Sequence, residues 1–432
     1  MSANGKVRLW ELPASTTYII PKRKTYDRFR QSLKKRYSRA EIEKRTGLPQ
    51  SVVGGIYLYD RVALSTIKKL SRLEEFKKIF PRRFEDAVEW IGTRTGKGIR
   101  DPKLPFELKN SAGACFIAAV LGDGTIKRGG GVSYTNTKKA ARKKIMEASR
   151  EIFGGIELVE DPAHYTVNFP TIAGRILARL GLRGGAKGET NPRVPFFIRI
   201  ASEDVKKEFL KQFFTDEGTV SSGKSAYYVG LKLGRYVDKR IFGGILENPQ
   251  KNTKWAPELL KDVKAMLGEL EIGACRIHLT GKRVFQRDGT TYFSTYWGIC
   301  VQRRNNLIRY QQLVGFSDND KEERLTRLLR KLKNDYVRCG LERAIANVAC
   351  VENEKGYVDK YLLSKQSGFS RRWGEKWLSK LAIGGYLRTT ERSAYIRGGE
   401  LNKLQGKTLQ RYRMTKKARK VLDKLSHTPI FY

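Results

Sequence analysis

Cysteine and histidine are scarce in this chain, with 5 Cys and 3 His among 432 residues. The cysteines (Cys115, Cys275, Cys300, Cys339, Cys350) form no C-x-x-C pair, and the histidines (His164, His278, His427) stand apart from one another. That spacing excludes a local zinc module and a disulfide framework and fits a reducing cytoplasm. It leaves these residues as buried or surface side chains without chemistry, and no Ser-His-Asp or Cys-His set can be assembled from them. A Walker-type phosphate loop is missing too. Gly129-Gly130-Gly131 is not followed by Lys-Ser/Thr and reads instead as a hairpin turn. No apolar run reaches the ~20 residues that span a bilayer, and Met1–Trp10 lacks the pattern of a signal peptide. The expected location is cytoplasmic and nucleoid-associated, with no membrane partner.

Acidic residues are the largest deficit. Lys and Arg number 86 against 44 Asp and Glu, a formal net charge of +42. An excess of that size implies a polyanionic partner, and nucleic acid is the first candidate.

What the chain does contain is a repeated design. Phe116-Ile-Ala-Ala-Val-Leu-Gly-Asp-Gly124 reads as an apolar helix of small and medium residues ending on one carboxylate, Asp123. The design returns at Leu210-Lys-Gln-Phe-Phe-Thr-Asp-Glu-Gly218, where Glu217 is the last acid before the glycine. Two such helices packed side by side bring two carboxylates to one edge of their interface, and paired carboxylates hold divalent metal. Ala118 and Gly122, at i and i+4, give the first helix a small-residue face for close contact.

These segments resemble the LAGLIDADG motif of homing endonucleases, whose letters fall on Phe116–Gly124 and Leu210–Gly218. The second copy departs from the family pattern, with Gln212 and Asp216 where small residues are usual. The resemblance implies a double-motif, pseudo-twofold monomer that hydrolyses both strands of double-stranded DNA across the minor groove. It implies Mg²⁺ or Mn²⁺ held by Asp123 and Glu217, with Gly122 and Asp216 completing the metal site. It also implies an assisting basic residue, for which Lys127 and Lys232 are the candidates. The ends do not resemble an intein, so a free-standing or intron-encoded protein is expected. Two other readings stay open: a regulator that keeps the scaffold without cutting, and a splicing maturase, for which structured RNA is the partner.

The rest of the chain supports three segments. Residues 1–105 form a basic N-terminal segment, with a helix–turn–helix over Glu41–Ile56. Gly47 makes its bend, and Gln50 and Ser51 open the second helix, toward bases. Gly92–Pro105 reads as a linker. Residues 106–335 read as two αββαββα halves, giving two antiparallel sheets beside the paired helices, an α+β fold. The polar sheet positions are often basic or amide, and Arg128, Asn136, Lys232, Arg276 and Arg303 are the expected DNA contacts. Residues 336–432 read as a winged helix, with a turn at Gly368, Arg371, Arg372 and Lys376 on its second helix, and a wing loop over Glu391–Lys407.

Overall fold

A computed structural model describes residues 4–426 apart from 81–82, 224–225, 251, 288, 338–340, 368–370 and 395–407. The fold is α+β. The chain divides into two compact units, Met1–Leu329 and Arg330–Tyr432.

In the first unit the two motif helices, Ser111–Leu121 and Glu203–Glu217, pack against each other. The first is apolar on every side and buried throughout its length from Ala112. That pattern belongs to a helix enclosed by protein. Each helix leads directly into the first strand of its own sheet. In the first half the strands Gly124–Ile126, Val132–Thr135, Thr166–Phe169 and Val159–Asp161 lie side by side in that order, all antiparallel. In the second half the order is Gly218–Gly223, Ala226–Val237, Thr290–Val301, His278–Arg287. Both sheets therefore run first, second, fourth, third strand of their half, as expected for a repeated unit. The helices Lys139–Phe153 and Glu258–Glu269 follow the first hairpin of each half, and Thr171–Arg179 and Arg304–Leu313 follow the second. The glycine run makes the expected turn, with Gly130 at φ 87° and Lys127 N–H donating to the Gly131 carbonyl.

The helix–turn–helix forms as read, from Arg39–Thr46 and Gln50–Leu58. Ser38 and Glu41 form a reciprocal capping box, and Gly47 closes the first helix at φ 66°. Ile42, Leu48, Val53 and Ile56 are all buried.

Gly92–Pro105 is not a linker. Strands Val88–Gly92 and Gly98–Arg100 belong to a five-stranded sheet, and its last strand, Gly155–Ile156, comes from the first motif half. Gly98 and Arg100 also donate to the Glu157 carboxylate. Lys6–Val7 pairs with Phe106–Glu107, and Phe106 packs on Phe153. Glycine and charge marked this stretch as open, but its apolar residue Ile99 is fully buried.

The second unit contains helices Leu341–Lys355, Lys360–Ser367 and Arg371–Ile383, then paired strands Leu387–Ala394 and Thr408–Met414, and helix Lys416–Ser426. Val348, Leu363, Leu378, Leu381 and Tyr412 join in one core. This is the expected order of helices and wing strands. Gly368 and most of the wing loop lie outside the described residues. Among the described residues no helix is long and apolar enough to cross a membrane.

Candidate functional site

The two motif helices bring together three carboxylates and two lysines. Asp123 follows the first helix just beyond its cap, Gly122, and Asp216 and Glu217 end the second. Lys187 donates its ammonium to the Gly122 carbonyl. Lys321 donates to the Thr215 carbonyl at 2.6 Å and reaches toward that of Asp216 at 3.4 Å. Each lysine thus rests on the backbone just before its half's terminal acid.

The two lysines are equivalents in the repeat. Gly181 and Gly315, both at positive φ, follow the last helix of their halves, and Lys187 and Lys321 come the same interval later. Alignment of Gly181–Lys187 with Gly315–Lys321 was the available sequence signal. It was weak because the intervening residues share no composition.

Burial governs the electrostatics. It raises the Asp123 carboxyl above the usual range, against a hydrogen bond from Asn136 and the charges of Lys187 and Lys321. Burial likewise raises Glu217, with Lys187 opposing and the Asp123 charge adding to the rise. Asp216 is pushed up to about 7 by burial first and by the Asp123 charge second. Desolvation lowers both lysines, against the pull of the acids. The centre is a partly dry, nearly charge-balanced cluster in which every ionic form is costly.

A chain of hydrogen bonds connects Asp123 with Asp216. Asn136 Nδ2 donates to Asp123 Oδ2 at 3.1 Å and lies 3.2 Å from the Tyr134 hydroxyl. Tyr134 OH donates to Asp216 Oδ1 at 2.9 Å, and Gln212 Nε2 donates to both Asp216 oxygens at 3.0 and 3.1 Å. The two residues that break the small-residue pattern, Gln212 and Asp216, therefore satisfy each other inside the seam. The first helix accommodates them at Gly122, where an added Cβ would lie 2.9 Å from Asp216 Cβ.

Several expected sites are corrected by this geometry. Lys127 is an exposed turn residue, and Lys232 lies on an open sheet face with its ammonium 5.0 Å from the Tyr296 ring centroid. Among the described residues neither is hydrogen-bonded to the acids, whereas Lys187 and Lys321 donate to the backbone beside them. Asn136 is engaged with Asp123 instead of facing a base. The Gly122 and Asp216 carbonyls already face lysine ammonium groups, and the Asp216 carboxylate belongs to the seam. The other expected DNA contacts are surface residues. Gln50 and Ser51 are exposed at the start of their helix, Arg276 and Arg303 are exposed, and Arg128 reaches Glu189 at 3.5 Å. In the second unit Arg372 and Lys376 are exposed, whereas the side chain of Arg371 lies outside the described residues.

Among the described residues no group of three or more His, Cys, Asp and Glu is arranged to hold a metal ion. Two carboxylates alone still suit Mg²⁺, which takes one or two protein carboxylates and fills its shell with water and phosphate oxygen. Asp123 and Glu217, at the ends of the two motif helices, could supply such a pair.

No family model matches the chain, and no curated protein does. Among solved structures, full-length DUF199/WhiA from Thermatoga maritima aligns at TM-score 0.28 and 9% identity, over 65% of this chain and 93% of that one. The N-terminal LAGLIDADG domain of DUF199/WhiA aligns at TM-score 0.26 and 9% identity, over 52% and 90%. Likeness of that order carries no argument about the activity of this chain.

Proposed function

We propose that this chain is a duplex-DNA-binding protein whose paired-helix centre meets the phosphate backbone. The observation that supports it most is the placing of one lysine in each half on the backbone just before the terminal acid, Lys187 on the Gly122 carbonyl and Lys321 on that of Thr215, at the seam of the two motif helices. A duplicated site suits a ligand with two antiparallel strands. The net charge of +42 supplies attraction for it.

The finer reading is metal-dependent phosphodiester hydrolysis, as the LAGLIDADG resemblance implies. When bound, divalent metal supplies Lewis-acid polarisation of the phosphate and a water of lowered pKa. Asp123 and Glu217 would hold it. Lys187 and Lys321 set positive charge beside the seam, where negative charge grows on the phosphate. Asn136 fixes the Asp123 carboxylate, and burial keeps competing water out. A second reading, a regulator that binds without cutting, is favoured by one feature: the lysines already donate to the carbonyls beside the acids and offset the acids' charge, as a metal would.

Incubation with a randomised duplex library and Mg²⁺, followed by selection of cleaved and of bound sequences, tests both. Cleavage that falls by several orders of magnitude in Asp123→Asn and Glu217→Gln, with duplex affinity level or higher, supports the nuclease. Binding without cleavage by the unmodified protein supports the regulator, and failure to bind duplex overturns the proposal.

A further inference from the structure

The two sheets are equivalent in topology but not in surface. On the first, the outward row reads Thr125, Ser133 and Asn168, with Thr135 and Thr166 joined at 2.9 Å. On the second, the residues of one face include Gly230, Lys232, Gly234 and Tyr236, with Tyr296, Gly298 and His278 across the register. The opposite face, with Val229, Leu231, Trp297 and Ile299, is buried.

Glycine lets the rings of this open face lie against the sheet. A Cβ at Gly230 would meet the Tyr228 ring at 2.9 Å, and one at Gly234 would meet the Tyr296 ring at 3.1 Å. Both rings cover backbone on one side and are only partly buried. Lys232 lies between these sites along the strand and is exposed, with its ammonium over Tyr296. Farther along, Arg283 stands 5.3 Å from the Phe285 ring, beside Tyr292.

We infer that this face stacks unpaired bases of a nucleic acid strand whose phosphates pair with Lys232 and Arg283. Tyr228 and Tyr296 keep part of their ring surface exposed above the sheet, with the Lys232 ammonium beside the Tyr296 ring. Duplex grooves offer base edges and phosphates, because neighbouring bases cover the π faces. An unpaired base exposes that face, and stacking on tyrosine tolerates any sequence. Gly230 and Gly234 are about 14 Å apart along the strand, on the order of four nucleotides at ~3.4 Å each. The ligand is then a duplex continued by a single strand. This rests on the duplex-binding reading and names the substrate class within it.

Fluorescence anisotropy with the full chain in EDTA tests the inference, using a perfect duplex, the same duplex with a dT extension, one with a U extension, and each single strand alone. An extension should tighten binding about tenfold. Tyr296→Leu should lose most of that gain while keeping duplex affinity and melting temperature, and Tyr296→Phe should retain it. A difference between the dT and U arms identifies DNA or RNA as the source of the strand. The inference is overturned if extensions add nothing, or if Tyr296→Leu weakens duplex and extended ligands equally. Loss of duplex binding by the unmodified protein sinks the duplex reading instead, and the single-strand arms still report on the face.

Discussion

Asp216 shows how a single residue can be misread from its position. The resemblance implies that it completes the metal site beside Glu217, although the next residue along a helix turns ~100° away. It turns into the seam, where Gln212 and Tyr134 donate to it and burial raises its carboxyl to about 7. The sign of the pH effect follows. The folded value lies above the ordinary 3.8, so the folded state holds the proton more tightly than the unfolded state. The penalty is absent below pH ~4, grows as pH rises, and is complete above the folded value. A displacement from 3.8 to about 7 is worth at most about 4 kcal/mol. Asp216→Asn, which removes the charge and keeps the shape, should raise the melting temperature at pH 8 and leave it unchanged below pH 4, measured in EDTA. An unchanged melting temperature at pH 8 would show that the lysines nearby already offset the charge. The acids Asp123 and Glu217 were legible because glycine punctuates them. Lys187 and Lys321 were not, because a lysine in a basic chain carries no local signal until the fold brings it to an acid.

At the scale of elements, periodicity and turn residues located the paired helices and main hairpins of the two halves, but not the helices Lys187–Thr190, Phe196–Arg199 and Lys239–Glu247. Gly154 at φ 93° ends the helix Lys139–Phe153, and alternation marks the strand Ala226–Val237. The closeness of the helix seam was not legible, because it depends on which residue faces Gly122 across it. Gly122→Ala would press a methyl group against Asp216, with Cβ 2.9 Å from Cβ. Overpacking of that kind costs about 1–3 kcal/mol, so the melting temperature should fall by several degrees. Gly129→Ala, with nothing within 4 Å of its added Cβ, is the matched control and should melt like the parent. Equal melting temperatures for the two variants would mean that the helices separate at little cost.

For the whole molecule, charge was the most informative property of the composition, and it sets a measurable expectation. If about 8 phosphates are neutralised, the slope of log affinity against log salt should be about −7. A slope near zero in filter binding would remove the electrostatic basis for nucleic-acid binding. The division of the first unit was the reading that failed, because composition does not reveal which distant strand completes a sheet. Residues 106–335 cut from the chain should expose Ile156, the partner of Ile99, and Phe106, the partner of Val7, and melt non-cooperatively. Residues 1–329 should melt as one unit. Two independent, sharp transitions in 1–329 would contradict this.

That shared sheet also bears on how the chain is made. Strand Gly98–Arg100 pairs with Gly155–Ile156, so its edge stays open on the ribosome until the following half of the motif has emerged. Chains fold N-terminus first, at the pace of synthesis. The basic N-terminal segment is therefore held incomplete while the first acid-bearing helix is translated. A nascent chain stalled ahead of residue 155 should bind nucleic acid by charge alone, without the ordered framework that gives register.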